Sequence, residues 1–483
     1  MTGNLAVLLA AILFVVFRRL ERRGRGDVVI VLIVGLLLLE TTLYPNQSTV
    51  PSGIFHPVLG GLTFRLIDLV VPAAVVARIS VRGLSSFGAN ALLWAAFLAW
   101  LVTAGLIGLL NGHSFSQVTF EGKAIAYLSA IYLTATIPAR EYLASRAMAR
   151  LIGASAILAT LLLITSNAGV AINLGARPPQ GADLVAAAGQ TIDPAGSLSA
   201  DAAATFIALG TIAVAMAFNS PGSRQRARLM IAAAPLLAST TAAGQAAAFL
   251  ELGVALAVLA GLVVVSKRAL QTTPTEIALA TMIVVGALLV PLLVSTARSD
   301  QAQRPPFERE IVASVSGPEQ HQTTEGRLNQ WHTARLMIEQ RPVLGWGLGT
   351  QFQYFDPGFF HFFTIDITQN LILDLLLRLG IIGLVLFLAA IGVTIYRGGR
   401  AWFRLVDDRV AALALGAVAG VVGILAKAMT ESDFEKYRVA VTLALLIGLV
   451  ISAASEYEWS ELQRARKRAK RGTAAPPALL PQP

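Results

Sequence analysis

The chain has 483 residues, 55% hydrophobic and only 14% charged, with a formal net charge of +10 and a mean hydropathy of +0.67. A water-soluble fold cannot hide that much apolar surface, so the composition excludes a soluble enzyme or binding module and points to a polytopic membrane protein. The absence of cysteine excludes disulfides, thiol catalysis and cysteine-ligated metal.

In chain order, apolar runs of a length able to cross about 30 Å of hydrocarbon lie near 3–18, 28–44, 58–79, 88–110, 118–138, 148–166, 200–218, 229–242, 245–266, 276–296, 368–395, 410–429 and 439–454. The expected fold is all-α, a polytopic transmembrane helical bundle of about 12–13 spans. Only Thr240, Thr241, Ala242, Ala243 and Gly244 separate the eighth run from the ninth, which suits a tight hairpin or a re-entrant pair. The first run lacks preceding basic residues and a following small-residue cleavage pattern, so it reads as a retained anchor.

Lys and Arg gather after odd-numbered runs: Arg18 to Arg25, Arg78 and Arg82, Arg140 to Arg150, Arg224 to Arg228, Lys267 and Arg268, Arg397 to Arg409, and Arg464 to Arg471. Cytoplasmic loops retain positive charge, so the N-terminus is expected outside and the C-terminus inside. The net charge is therefore a topology signal and does not imply a nucleic-acid partner. The layout that follows is N-terminal transmembrane helices over 1–296 with an external flap at 167–199, an external loop at 297–367, and C-terminal transmembrane helices over 368–455. From 456 to 483 the composition turns polar, then basic, then Pro- and Ala-rich, which predicts a disordered basic tail on the inner side.

Beyond the charges that mark the inner ends, four cations fall inside predicted spans at similar depth: Arg65, Lys123, Arg378 and Lys427. Each costs about 2.5–3.5 kcal/mol to insert. Together they read as a basic cavity suited to an anionic lipid headgroup such as a diphosphate. The competing reading is internal pairing, Arg65 with Asp68, Lys123 with Glu121, Asp374 with Arg378, and Lys427 with Glu431. In the external loop, residues 326–340 read as an amphipathic helix that Pro342 ends. Gly345, Gly347 and Gly349 follow it and let the backbone turn sharply or approach a ligand; Trp331 and Trp346 suit interfacial anchors. The segment ESDFEKYR at 431–438 reads either as part of the site or as a solvated turn. His56, His113, His321 and His332 show no metal-ligand spacing, and no cofactor is expected.

Arg327, Trp331, Ala334, Pro342, Leu344, Gly345, Gly347 and Gly349, followed by Asn370, Gly380 and Gly383, resemble the O-antigen ligase and polymerase family of membrane glycosyltransferases. The segment FRLIDL at 64–69 resembles that family's early Arg-Asp helix. The resemblance implies a metal-independent fold of the GT-C type that uses a polyprenyl-diphosphate-linked glycan as donor and a glycan or glycolipid as acceptor. It places the work in a multi-pass protein of the bacterial cytoplasmic (inner) membrane. By it Arg327 contacts the diphosphate, with Arg65, Lys123, Arg378, Lys427 and Arg438 as further candidates. Two departures stand out. The family's usual His is Gln369 here, which cannot take a proton at neutral pH, and a second family Arg is replaced by the stretch around Gln245. His361 and Asp366 are the candidate bases, with Asp356 nearby. Ligase and polymerase stay undecided, and a lipid-linked glycan transporter or a non-catalytic glycan-binding relative remain as alternatives.

Overall fold

The computed structural model describes residues 3–39, 58–59, 62–63, 65–83, 90–167, 200–220, 222–243, 246–265, 319–356, 361–366, 368–405, 407–430 and 437–470. Its helices are α1 (Gly3–Arg22), α2 (Gly26–Leu39), α3 (Leu66–Arg82), α4 (Asn90–Leu110), α5 (Phe115–Leu128), α6 (Ile131–Ala135), α7 (Ala139–Ala144) and α8 (Arg146–Asn167). They continue with α9 (Ala200–Phe218), α10 (Ser223–Ala243), α11 (Ala246–Val265), α12 (Glu319–Gln340), α13 (Leu371–Arg404), α14 (Asp408–Ala428) and α15 (Tyr437–Lys470). Two short antiparallel hairpins accompany them, β1 (Val58–Leu59) with β2 (Leu62–Thr63) and β3 (Phe352–Asp356) with β4 (His361–Ile365). The protein is thus an all-α, multi-pass membrane bundle. Among the described residues, five helices are long and apolar enough to cross a membrane: α4, α8, α13, α14 and α15.

Packing sorts these helices into hub and periphery. Of the most apolar stretch of each, 83% is buried in α14 and 89% in α15, against 28% in α4 and α8. The hub is built with small residues. Gly416 and Gly420 of α14 let α9 approach at Ile212 and Thr211, and Gly448 of α15 lies against Ile131 and Thr134 of α6. A side chain at any of these positions would push helices apart. Asp407 starts α14 by accepting hydrogen bonds from the amides of Arg409 (3.1 Å) and Val410 (3.4 Å).

Several expectations are corrected. The run 118–138 is not one helix: it breaks after Leu128, and α6 and α7 follow as short pieces. Arg78 is not a loop charge but a fully buried side chain of α3, held by Glu21 (Nε to Oε1 2.9 Å), Gly26 O (3.2 Å) and Leu133 O. Residues 456–470 are not disordered, because α15 runs unbroken through them to Lys470. The predicted helix at 326–340 starts earlier, at Glu319. The span at 276–296, the flap at 168–199, Gln245 and the acidic turn at 431–436 lie outside the described residues.

Candidate functional site

The Gly-rich turn is shaped by what it must touch. Gly345, Gly347 and Gly349 all have positive φ, 71°, 89° and 83°, a region open to glycine at no steric cost. The expected close approach to a ligand is instead an approach to other backbone. Helix α13 breaks at Gly380 (φ 64°, ψ −171°), and the break frees the carbonyls of Leu377, Arg378 and Leu379 from their helical partners. The turn and α4 satisfy them: Trp346 N–H donates to Leu377 O (2.8 Å), Gly347 N–H to Arg378 O (3.0 Å), and Trp100 Nε1–H to Leu379 O (2.9 Å). In return Ile381 N–H donates to Pro342 O (2.9 Å), and Leu348 N–H to Ala104 O of α4 (3.0 Å). The Trp346 indole donates to Met337 O (2.9 Å), and its half-buried ring packs against the cluster of Ala334, Phe352 and Leu377. Arg341 lies over its ring at 4.3 Å and bonds Asn111.

Below this turn sits a buried charged group. Arg378 pairs with Glu121 of α5 (2.6 Å) and with Asp374 one turn back (3.3 Å), all with side chains at or below 5% exposure. The Asp374–Arg378 pairing expected from spacing is present, and Glu121 is a second partner that no local spacing marks. Glu121 also accepts from Gly349 N–H (2.6 Å). These groups line a cavity of about 40 Å³ with Phe97, Leu101 and Leu375. With two carboxylates against it, Arg378 is a structural cation, and it has little charge left for a phosphate. It also anchors the chain ahead of α13: it donates to Asp366 O, while Asp374 accepts from Thr368 N–H (3.2 Å). Gln369 N–H donates to Gln330 of α12 (3.3 Å), and Asn370 caps α13 through Ile372 N–H (3.0 Å) and ties to Met429 O of α14 (3.1 Å). Arg378→Leu would strand two buried acids and is expected to cost about 3 kcal/mol of stability. Thermal unfolding in detergent checks this, and an unchanged midpoint would contradict the network.

On another side of α5 lies a second, more basic group. Lys123 pairs with Asp68 of α3 (2.8 Å). Asp68 also accepts from Arg65 N–H (2.9 Å) and from the Tyr127 hydroxyl. The Arg65 guanidinium lies 4.5 Å from the centre of the Tyr437 ring, and that of Arg438 lies 4.9 Å from the same ring. Tyr437 is 6% exposed and packs on Tyr127, with ring centres 6.4 Å apart. Two helix N-termini, those of α3 and α15, start at these arginines, and their dipoles add positive potential. Both guanidiniums thus lie within cation–π range of one ring. Nothing in local spacing marks Tyr437, because its partner Arg65 lies most of the chain away.

The other predicted residues fall as follows. Arg327 is exposed on α12, one turn before Trp331, which is half-buried with its indole N–H buried and without a hydrogen-bond partner. Gln369 Oε1 is likewise buried and unpartnered. His361 stands directly across the β3–β4 hairpin from Asp356 in the strand register, and Asp366 follows the hairpin at intermediate exposure. Lys427 is fully buried in the last turn of α14, with no surface through which a ligand reaches it. Asn370 joins the α12 side to the C-terminal end of α14, and Tyr437 opens α15 seven residues after Thr430, so Arg327, Gln369 and the stacked arginines share one end of the bundle. Among the described residues, no three His, Asp or Glu side chains cluster as ligands for a metal ion.

Residues 227–388 match the family model described as O-antigen ligase. That segment holds Arg327, the Gly-rich turn, Gln369, Asn370 and the break at Gly380, so the resemblance drawn from these residues stands. Arg65, Lys123 and Arg438 lie outside it. No curated protein matches the chain.

Proposed function

We propose that this multi-pass membrane protein, with its O-antigen ligase segment at 227–388, transfers or polymerises a polyprenyl-diphosphate-linked glycan at the outer face of the bacterial cytoplasmic membrane. The observation that carries the reading is the pair of guanidiniums, Arg65 and Arg438, laid against Tyr437 beside Lys123. Three cations gathered at one end of the bundle suit a diphosphate leaving group, whose negative charge grows as the bond to the sugar breaks. Arg327, exposed at the same end, is placed to reach the donor as well.

In this reading an acceptor hydroxyl attacks the anomeric carbon, the bond from that carbon to the diphosphate oxygen breaks, and the configuration inverts. The hydroxyl proton goes to His361 or Asp366, which flank the hairpin-to-α13 segment. Gln369 accepts a hydrogen bond and orients the hydroxyl without taking the proton. The opposite end of the bundle, where Arg22, Arg82, Arg140 and Arg404 lie, fits the cytoplasmic side, which supports an outward-facing site.

The test is transfer of a labelled polyprenyl-diphosphate glycan by the purified protein in lipid. Wild type is expected to turn over. Arg327→Ala is expected to lose at least about 100-fold, on the scale of one or two charge-assisted hydrogen bonds, and one of His361→Ala and Asp366→Asn is expected to lose turnover while donor binding persists. Donor binding without turnover in wild type would make the protein a carrier instead.

A further inference from the structure

The β3–β4 hairpin presents two unlike faces. Its register pairs Phe352 with Ile365, Gln353 with Thr364, Tyr354 with Phe363 and Phe355 with Phe362. Because side chains alternate across a strand, Phe352, Ile365, Tyr354 and Phe363 share one face. Phe352 and Ile365 pack there against Ala334, Met337 and Ile338 of α12. The other face carries a polar rung, in which Gln353 Nε2 donates to Thr364 Oγ1 (3.2 Å). Beside it is an aromatic rung, Phe355 and Phe362, with ring centres 5.2 Å apart at 54°. Phe362 is 64% exposed, and Gln353 and Thr364 are exposed with it.

Hydrocarbon is not what covers this face. Among the described residues β3 and β4 pair only with each other, and each backbone group left unsatisfied in hydrocarbon costs several kcal/mol. An exposed phenyl ring, Phe362, on a half-buried one, Phe355, beside an exposed amide and hydroxyl, suits a ligand surface. The hairpin is fixed in place: Asn329 of α12 donates from Nδ2 to Phe355 O (3.1 Å). From β4 the chain runs directly into Asp366, Gln369 and Asn370, so the hairpin is joined directly to that segment.

We infer that the outward face of this hairpin is a glycan-binding subsite, in which Phe355 and Phe362 take the apolar face of a sugar ring while Gln353 and Thr364 bond its hydroxyls. The inference rests on the glycan-transfer reading, and it adds a site that holds sugar units away from the diphosphate.

The experiment uses the full chain in nanodiscs. Binding is measured to an array of bacterial repeat-unit oligosaccharides that carry no lipid and no phosphate. Inorganic pyrophosphate, read by thermal stabilisation, and vesicles of phosphatidylethanolamine and phosphatidylglycerol serve as separate probes. Wild type is expected to bind at least one oligosaccharide. The Phe355→Ala/Phe362→Ala double variant is expected to bind it at least tenfold more weakly, with pyrophosphate stabilisation unchanged. Thr364→Ala, which keeps the rings, gives a smaller loss and covers the case in which the double variant fails to fold. The inference is overturned if no oligosaccharide binds wild type, if the variants bind as wild type does, or if they lose vesicle association and keep sugar binding. Loss of pyrophosphate stabilisation in wild type would instead count against the glycan-transfer reading itself.

Discussion

Gly380→Ala is expected to leave little folded protein, with a loss of about 3–9 kcal/mol. Alanine at φ 64°, ψ −171° carries a strain of about 1–3 kcal/mol. A Cβ there would also lie inside contact distance of Val343 C and O and 2.7 Å from Gly345 N. Relieving the overlap means withdrawing the turn from the helix break, which strands the carbonyls of Leu377 and Arg378 at about 1–3 kcal/mol each. Gly347→Ala meets the same barrier from the other side, since its Cβ would overlap Gly108 of α4 and lie 2.8 Å from Ala104 O. Gly24 is the control. It too has positive φ, 68°, but nothing lies within 4 Å of a Cβ built on it, so Gly24→Ala is expected to cost only about 1 kcal/mol. Size-exclusion traces after heating rank the three, and a Gly380→Ala protein as stable as Gly24→Ala would show that the interlock contributes nothing.

The Arg65→Ala/Arg438→Ala double variant is expected to weaken binding of a polyprenyl diphosphate by about 100- to 10,000-fold. Each guanidinium supplies a charge-assisted bond of about 1.5–3 kcal/mol, and 1.4 kcal/mol is tenfold in affinity. The two are not redundant, because both are oriented by the same ring. Tyr437→Phe keeps that ring and is expected to stay within about threefold of wild type, whereas Tyr437→Ala leaves the charges and removes their support, and falls between the two. Arg438→Lys keeps the charge without the planar fork and loses part of the affinity. Titration of the purified protein in nanodiscs gives the order; equal binding by Tyr437→Ala and wild type would mean that stacking does not position the arginines.

The membrane class and the all-α bundle were legible in composition and hydropathy, because burial in hydrocarbon demands long apolar runs. The candidate site was legible only where it is local. Arg327, the glycines at 345, 347 and 349, and Asn370 stand within one stretch, and the O-antigen ligase match covers them. The Asp374–Arg378 pair was likewise legible, one helical turn apart.

Contacts between distant segments were not. Sequence made Arg378 a phosphate ligand, and the fold gives it Glu121, more than two hundred residues away, as a counter-ion. Sequence left the Gly-rich stretch as a sharp turn or an approach to a ligand, and in the fold it is a turn that packs on the broken backbone of α13. Lys123 pairs with Asp68 of α3, while its near neighbour Glu121 pairs with Arg378 of α13. A chain by itself determines that a cation or a positive-φ glycine is present and roughly how deep it lies in the membrane. Which partner it meets is decided by tertiary packing, since charge pairing and backbone approach act over a few ångströms, a range unrelated to separation along the sequence.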